Sequence, residues 1–415
     1  MTTMLELTKH KLDAVEALTP KLHPVIEQVT RAITNYTVHP RMKAVIAVSH
    51  IMLFASQFRR NIEMWDGTEV PINSIGVVLC DSGAGKDSSH RAAKRCFEPG
   101  YELITKHLET EARKRAIQRA RNAEEDLPEE YEVYKKYLDL VPPFETAVTT
   151  GPGLIALLNT MEPHDLGSNY IYSGEFGDQL TYNANIAENI TILAELYDLG
   201  VREGTFTKGV EFRSKAIDGQ SLSALMMGSP VMLYDESVKY RFETAFMSKL
   251  ARRSFFCYVP EPMPSPDFMS HDDPMQALDD FERALDDEAA HARAVMRDGV
   301  VAITTHHLKH LGTPITTSEE VRTYYTTYKR YNSDLVEHSM NRESTSALIR
   351  RHLQWKALKL AGAFAILDCS PTVELDHFIA AIQFCELLSG DMQIFENDLN
   401  KSYYERFSDY CHTLV

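Results

Sequence analysis

The sequence is short of several features that would assign it quickly. Cysteine is scarce: Cys80, Cys96, Cys257, Cys369, Cys385 and Cys411 stand far apart and form no Cys-x-x-Cys pair. That spacing excludes a zinc ribbon or a disulfide-stapled frame, and it reads as the reduced thiols of a cytoplasmic protein. No run approaches the ~20 apolar residues that a membrane helix requires. The first twenty residues carry no apolar core of a secretory signal. No internal repeat or low-complexity tract is visible. A positive balance is missing as well: 43 Lys and Arg stand against 59 Asp and Glu, a formal charge of −16. This argues against general coating of nucleic acid but leaves room for a local basic channel, because steering depends on where charges sit.

With 415 residues, 44% hydrophobic and 25% charged, the chain has the composition of a folded globular protein. It has the length of one large domain with appendages, or of two to three ordinary ones. Residues 5–62 read mostly helical, with apolar positions at helical spacing through Val45-Ile46-Ala47 and Ile51-Met52-Leu53-Phe54. A turn at Trp65-Asp66-Gly67-Thr68 precedes a buried strand, Ser74 to Cys80. Further buried strands are expected at Tyr170–Ser173, Leu222–Met227 and Ser254–Val259. A charged helical stretch fills 101–140, an acidic helix 267–298, and helices continue from Ser318 to the end. Strands alternate with helices in the middle, so the expected core is α/β with a parallel sheet, flanked by N-terminal helices and a C-terminal helical region. The corresponding divisions are 1–73, 74–260 (with a charged helical insertion at 101–145), 261–315 and 316–415.

The sharpest motif is Cys80-Asp81-Ser82-Gly83-Ala84-Gly85-Lys86-Asp87-Ser88, between an expected strand and an expected helix, the context a phosphate-binding loop requires. Glycines let backbone N–H groups curl around phosphate oxygens, and the helix N-terminus adds donors and dipole. Ser82, Gly83, Ala84, Gly85, Lys86, Asp87 and Ser88 are therefore the expected nucleotide-binding residues, with Lys86 supplying charge to the β and γ phosphates of ATP. Two positions depart from the usual pattern. Cys80 stands where the first Gly is usual, and Asp87 where a Mg²⁺-binding hydroxyl is usual. Asp87 and Ser88 are the candidate Mg²⁺ ligands, since carboxylates suit that hard ion.

An ATPase of this kind needs a carboxylate at a neighbouring strand end. Glu175, in Tyr170-Ile171-Tyr172-Ser173-Gly174-Glu175-Phe176, lies where the active residue of an open parallel sheet belongs. It is the expected catalytic base; the alternative is a loop Glu capping the following helix. Asp178 is a weaker candidate, and Ser229, after the strand ending at Met227, a candidate γ-phosphate sensor. Lys249, Arg252 and Arg253 precede the last strand. Such cations neutralise transition-state charge across a subunit interface, or they are surface cations that pair with the acidic helix. At 202–215, Arg202, Lys208, Arg213 and Lys215 interleave with Phe206 and Phe212, a pattern suited to single-stranded DNA. His306, His307 and His310 lack a completing ligand, so a surface helix is expected there and not a metal site.

Taken in order, these segments resemble a family of phage and mobile-element RecA-like ATPases, filed as a domain of unknown function and often found as the helicase part of primase–helicases. The resemblance covers about residues 20–390. It rests on the helical lead-in and Ser82–Lys86, on Thr149-Thr150-Gly151-Pro152-Gly153-Leu154, and on Ile171–Phe176, where the family usually has Asp-Glu and this chain has Gly174-Glu175. The segments Leu222–Pro230 and Leu250–Phe255 complete it. The resemblance implies a RecA-like P-loop NTPase core and ATP hydrolysis between subunits of a ring, expected to be hexameric. It also implies action on DNA in replication beside a primase or polymerase, in the cytoplasm (of the host, if the protein is viral). Two other readings stay open: a nucleotide kinase with a Gly-Lys-Asp loop, and an ATP-binding assembly or loader factor that does not hydrolyse. The negative charge is uneven. Residues 261–298 hold eleven acidic and three basic side chains, and 239–253 hold one and five. An acidic outer surface with basic DNA-facing loops is the resulting expectation.

Overall fold

The computed structural model describes residues 22–122, 141, 143–161, 166–183, 185–204, 216–217, 219–260, 268, 272–339, 341–402, 404–405 and 408. Two helices lead in, α1 (Pro24–Arg31) and α2 (Pro40–Ser56). Both start at a His-Pro pair. His23 Nδ1 accepts from Val25 N–H and His39 Nδ1 from Arg41 N–H, while the prolines sit where no helical donor is needed. Helix α2 is buried almost all round, as its unbroken apolar composition requires. It packs on the sheet and also against α1.

A short hairpin, β1 (Ile62–Glu63) and β2 (Glu69–Val70), turns at Gly67 and leads to β3 (Ile75–Cys80). Helices α3 (Lys86–Arg95) and α4 (Glu98–Asn122) follow, then β4 (Glu145–Thr146), α5 (Gly151–Met161), β5 (Asn169–Ser173), α6 (Phe176–Tyr182) and α7 (Ile186–Leu199). Strand β6 (Leu222–Gly228), α8 (Glu236–Phe242) and β7 (Ser254–Val259) complete a five-stranded sheet of order β4-β5-β6-β3-β7, parallel throughout. The fold is thus α/β with a parallel sheet. Strands β3, β6 and β7 are buried at every position, as strands covered on both faces must be.

The acidic helix runs further than its composition suggests, as α9 (Pro274–His307). From Ala289 on, one face buries Ala289, Ala292, Met296, Val300, Thr304 and His307, and the helix packs against α1 and α4, while its other face stays exposed, as at Val295 and Val301. Then come β8 (Thr316–Thr317), α10 (Glu319–Glu337), α11 (Thr345–Arg350), α12 (Leu353–Leu367), β9 (Thr372–Val373), α13 (Leu375–Leu387) and α14 (Asp391–Leu399). One hydrophobic core runs from Ile26 to Leu399 across the four divisions drawn from sequence. Lys359 of α12 ties three of them together: its buried ammonium donates to Pro71 O, Asn73 Oδ1 and Tyr197 O at 2.6–2.8 Å. The stretch Leu375–Leu399 has the length and hydropathy of a membrane span, but half of its apolar window is buried inside this fold.

The expectation of surface histidines at 306–310 is corrected at one position. His307 is fully buried, with Nε2 2.7 Å from Ile366 O and Nδ1 3.1 Å from Arg60 Nη1. It completes the buried stripe of α9, whose i, i+3, i+4 spacing runs on about two and a half turns past the acidic segment that ends at 298. Among the described residues no cluster of metal-ligating side chains occurs.

Candidate functional site: the carboxyl edge around Lys86

Strand β3 lies inside the sheet, and its carboxyl end opens into the loop Asp81–Gly85 before α3. Gly83 and Gly85 have φ of +83° and +76°, the left-handed region where a side chain is strained. Gly85 is confined as well: a Cβ there would stand 2.4 Å from Asn35 Nδ2 and 2.9 Å from Val38 Cγ2. The segment between α1 and α2 therefore braces the loop from behind. Ser88 and Ser89 each donate a hydroxyl proton to Gly85 O, at 2.9 and 2.8 Å, which fixes the first turn of α3. The first-turn N–H groups of a helix have no intrahelical acceptor, so they are available to an anion.

Lys86 is the telling residue. It is buried, and its Nζ has no hydrogen-bond partner among the described residues. A buried ammonium without a partner is costly unless a ligand supplies the counter-charge. The donor set at this loop, cationic and rich in N–H, fits the phosphates of a nucleotide. Cys80 explains its own departure from the motif. It points into the core, with Sγ 3.6 Å from Met42 Sδ, and so packs against α2. Burial pushes its thiol up to about 11, with Lys86 pulling the other way and Asp81 and Glu175 adding to the rise.

Glu175 follows β5, two strands across from β3, with β6 between them. It is exposed and occupies the position before α6, but its side chain caps no N–H of that helix. The capping alternative therefore finds no support in the geometry. Ser229 directly follows β6, so it sits on the same carboxyl edge, between β3 and β5. Asp178 lies exposed in the first turn of α6. Asp87, exposed at the start of α3, accepts a hydrogen bond of 2.6 Å from the Tyr172 phenol. Asp87 and Ser88 are oxygen donors suited to Mg²⁺ beside the phosphates.

The structure does not bring the three cations to this edge. Ser254 at the start of β7 is in register with Ile75 at the start of β3, so Arg252 and Arg253 lie at the opposite, amino end of the strands. Arg253 pairs with Asp198 at 2.6 Å and donates to Lys249 O, while Lys249 Nζ donates to Thr191 Oγ1. Arg202 is likewise committed, to Glu195 at 2.7 Å. The rest of the DNA-loop expectation, Phe206, Lys208, Phe212, Arg213 and Lys215, lies outside the described residues.

Sequence reasoning missed a polar network behind the loop. Tyr172 stacks on His90 of α3, with ring centroids 3.9 Å apart and planes 10° from parallel. His90 Nδ1 meets His50 Nε2 at 3.1 Å. Glu145 of β4 accepts from Lys94 and from the Tyr170 phenol, both at 2.5 Å. Burial works against the charge on Glu145, but hydrogen bonds from His90, Lys94 and Tyr170 outweigh it and hold the carboxyl well below the usual range. The period of two in β5, which puts Tyr170 and Tyr172 on one face, was the available signal. No family profile matches this chain, and no curated protein matches it.

Proposed function

We propose that the protein is an ATP hydrolase with a RecA-like P-loop core, and that it works as a ring-shaped helicase or translocase on single-stranded DNA in replication. The observation that carries this reading is the buried, unpartnered Lys86 ammonium at the head of α3, behind a loop with two left-handed glycines. The sheet order supports it: one strand, β6, separates β3 from β5, so Lys86 and Glu175 follow strands of the same sheet on its carboxyl edge, where ligands of open parallel sheets bind. Lys86 and the first-turn N–H groups would hold the phosphates, Asp87 and Ser88 would hold Mg²⁺, and Glu175 would take the proton from the attacking water. When bound, Mg²⁺ supplies charge neutralisation at the β and γ oxygens.

Lys249, Arg252 and Arg253 stand away from the nucleotide of their own chain. In the proposed homo-oligomeric ring, expected to be hexameric, their catalytic role is on a neighbouring subunit, and Arg253 and Lys249 would leave Asp198 and Thr191 to take it. The loops near 202–215 touch the DNA, a primase or polymerase is the partner, and the compartment is the cytoplasm.

The test is phosphate release with and without single-stranded DNA, with the particle mass measured with and without ATP. DNA-stimulated release from an ATP-dependent assembly is expected. Glu175→Gln should bind ATP and not turn it over. Phosphorylation of a nucleoside monophosphate would reject the reading in favour of a kinase. Assembly on ATP with no phosphate release would reject it in favour of a loader factor.

A further inference from the structure

The P-loop pattern normally places a hydroxyl after the Lys and a carboxylate at the end of the neighbouring strand. This chain has the reverse, Asp87 after Lys86 and Gly174 at the end of β5. The two departures meet in space. A Cβ built on Gly174 would stand 2.9 Å from Asp87 Oδ1 and 3.3 Å from Tyr172 Oη. The Asp87 carboxylate thus fills the place that a side chain on residue 174 would take.

We infer that Asp87 and Gly174 are an exchanged pair: the metal-holding carboxylate of the nucleotide site has moved from the strand to the helix, and Gly174 keeps its place vacant. This deepens the nucleotide reading above and rests on it. The charge facing the cation stays at one carboxylate, delivered from the opposite wall. Two carboxylates at such a separation could not both ionise, so an Asp at 174 beside Asp87 would lose the arrangement.

Tyr172 is the positioning residue of the pair. Its phenol donates to Asp87 Oδ1 at 2.6 Å, and its ring lies flat on His90, itself buried and tied to His50. The carboxylate is thereby aimed by β5 although it belongs to α3. A hydrogen-bonded carboxylate on a braced partner is how outer contacts orient a metal ligand.

The experiment is binding of a fluorescent ADP analogue, with Mg²⁺ and with EDTA, to the full chain and to four variants. In the natural chain Mg²⁺ should tighten binding by about tenfold or more. Asp87→Asn should erase that gain, and its EDTA affinity should rise, because a carboxylate that repels the phosphates when no cation is present has been removed. Tyr172→Phe should leave a gain smaller than the natural chain's but larger than that of Asp87→Asn, at unchanged EDTA affinity, which a merely structural change would not do; a gain equal to the natural chain's removes Tyr172 from the pair. Gly174→Asp should also lose the gain, and the double variant Asp87→Ser/Gly174→Asp should recover it, because one carboxylate again faces the cation. A natural chain that binds no nucleotide in either buffer overturns the site itself and the inference with it. Nucleotide binding that Mg²⁺ does not strengthen overturns the inference alone. So does an Asp87→Asn protein that keeps the gain, or a double variant no better than Gly174→Asp.

Discussion

Arg253 holds the Asp198 carboxylate at 2.6 Å, and it does so at the end of the sheet opposite Lys86. The pair joins the residue before β7 to the last turn of α7. Arg253 is mostly buried while Asp198 is half exposed, so the bond is partly screened. Its first duty is to the fold. Arg252, whose Nε has no hydrogen-bond partner among the described residues, is the one of the two to test for action on a neighbour. Arg253→Ala should lower stability by about 1 kcal/mol. Arg252→Ala should leave the melting temperature nearly unchanged. Mixed into natural subunits, Arg252→Ala should depress turnover more steeply than its share of the mixture. Turnover that falls only in proportion would show that Arg252 does not act on a neighbour.

Lys86→Met makes a sharper separation between fold and activity than most P-loop substitutions. The ammonium is buried without a partner, so removing it relieves an unmet desolvation penalty and breaks no bond. The variant should melt at or above the natural protein in the absence of nucleotide. Its phosphate release should fall on the order of a hundredfold or more, since the charge on the β and γ phosphates is lost. A variant that melts lower without ligand, or that hydrolyses normally, contradicts the assignment of Lys86.

Gly85→Ala tests the brace behind the loop. The methyl would meet Asn35 and Val38, and the backbone would still sit at a φ of +76°. Both penalties act together, so a loss of about 2 kcal/mol and of nucleotide binding is expected. Adding Asn35→Gly should recover part of the stability by removing the closer of the two collisions, while the contact with Val38 and the strain at φ remain. Full recovery would mean that the left-handed turn is not required.

The parts of this architecture legible in the sequence are those whose cause is local. Strand β7 occupies the expected Ser254–Val259, because an apolar run with aromatic residues leaves little alternative. The turn at Gly67 and the glycines around Ala84 follow from chemistry within a few residues. Two-residue strands such as β4 carry too little pattern to be seen, yet Glu145 on β4 anchors Lys94 and Tyr170. The contact between Tyr172 and Asp87 joins residues 85 positions apart, and only the sheet order brings them together. The acidic content of α9 hid its buried stripe, since counting charges over a segment averages the wet face with the dry one.

His307 makes the stability of the whole molecule depend on pH. Its ring lies against Phe58, 4.8 Å between centroids, with Nε2 facing the Ile366 carbonyl and Nδ1 facing the Arg60 guanidinium. A neutral ring that donates from Nε2 and accepts at Nδ1 satisfies both neighbours. A second proton would point at a guanidinium. Burial, with Arg60 adding to it and the Ile366 contact opposing, pushes the imidazole down to about 4. Unfolded, it takes its proton near the ordinary value of 6.5. Between those two values the unfolded chain binds more protons, so stability rises with pH across that window and is lost on acidification. His352, held down to about 4 by burial and by Arg252, and His50 act in the same direction. From pH 7 to pH 5 the His307 share of the loss is about 2 kcal/mol. Melting temperatures should therefore fall over this range in the natural protein. In His307→Gln they should start lower, because a packed ring is removed, but fall by visibly less. Equal slopes in the two proteins would show that His307 does not carry the effect.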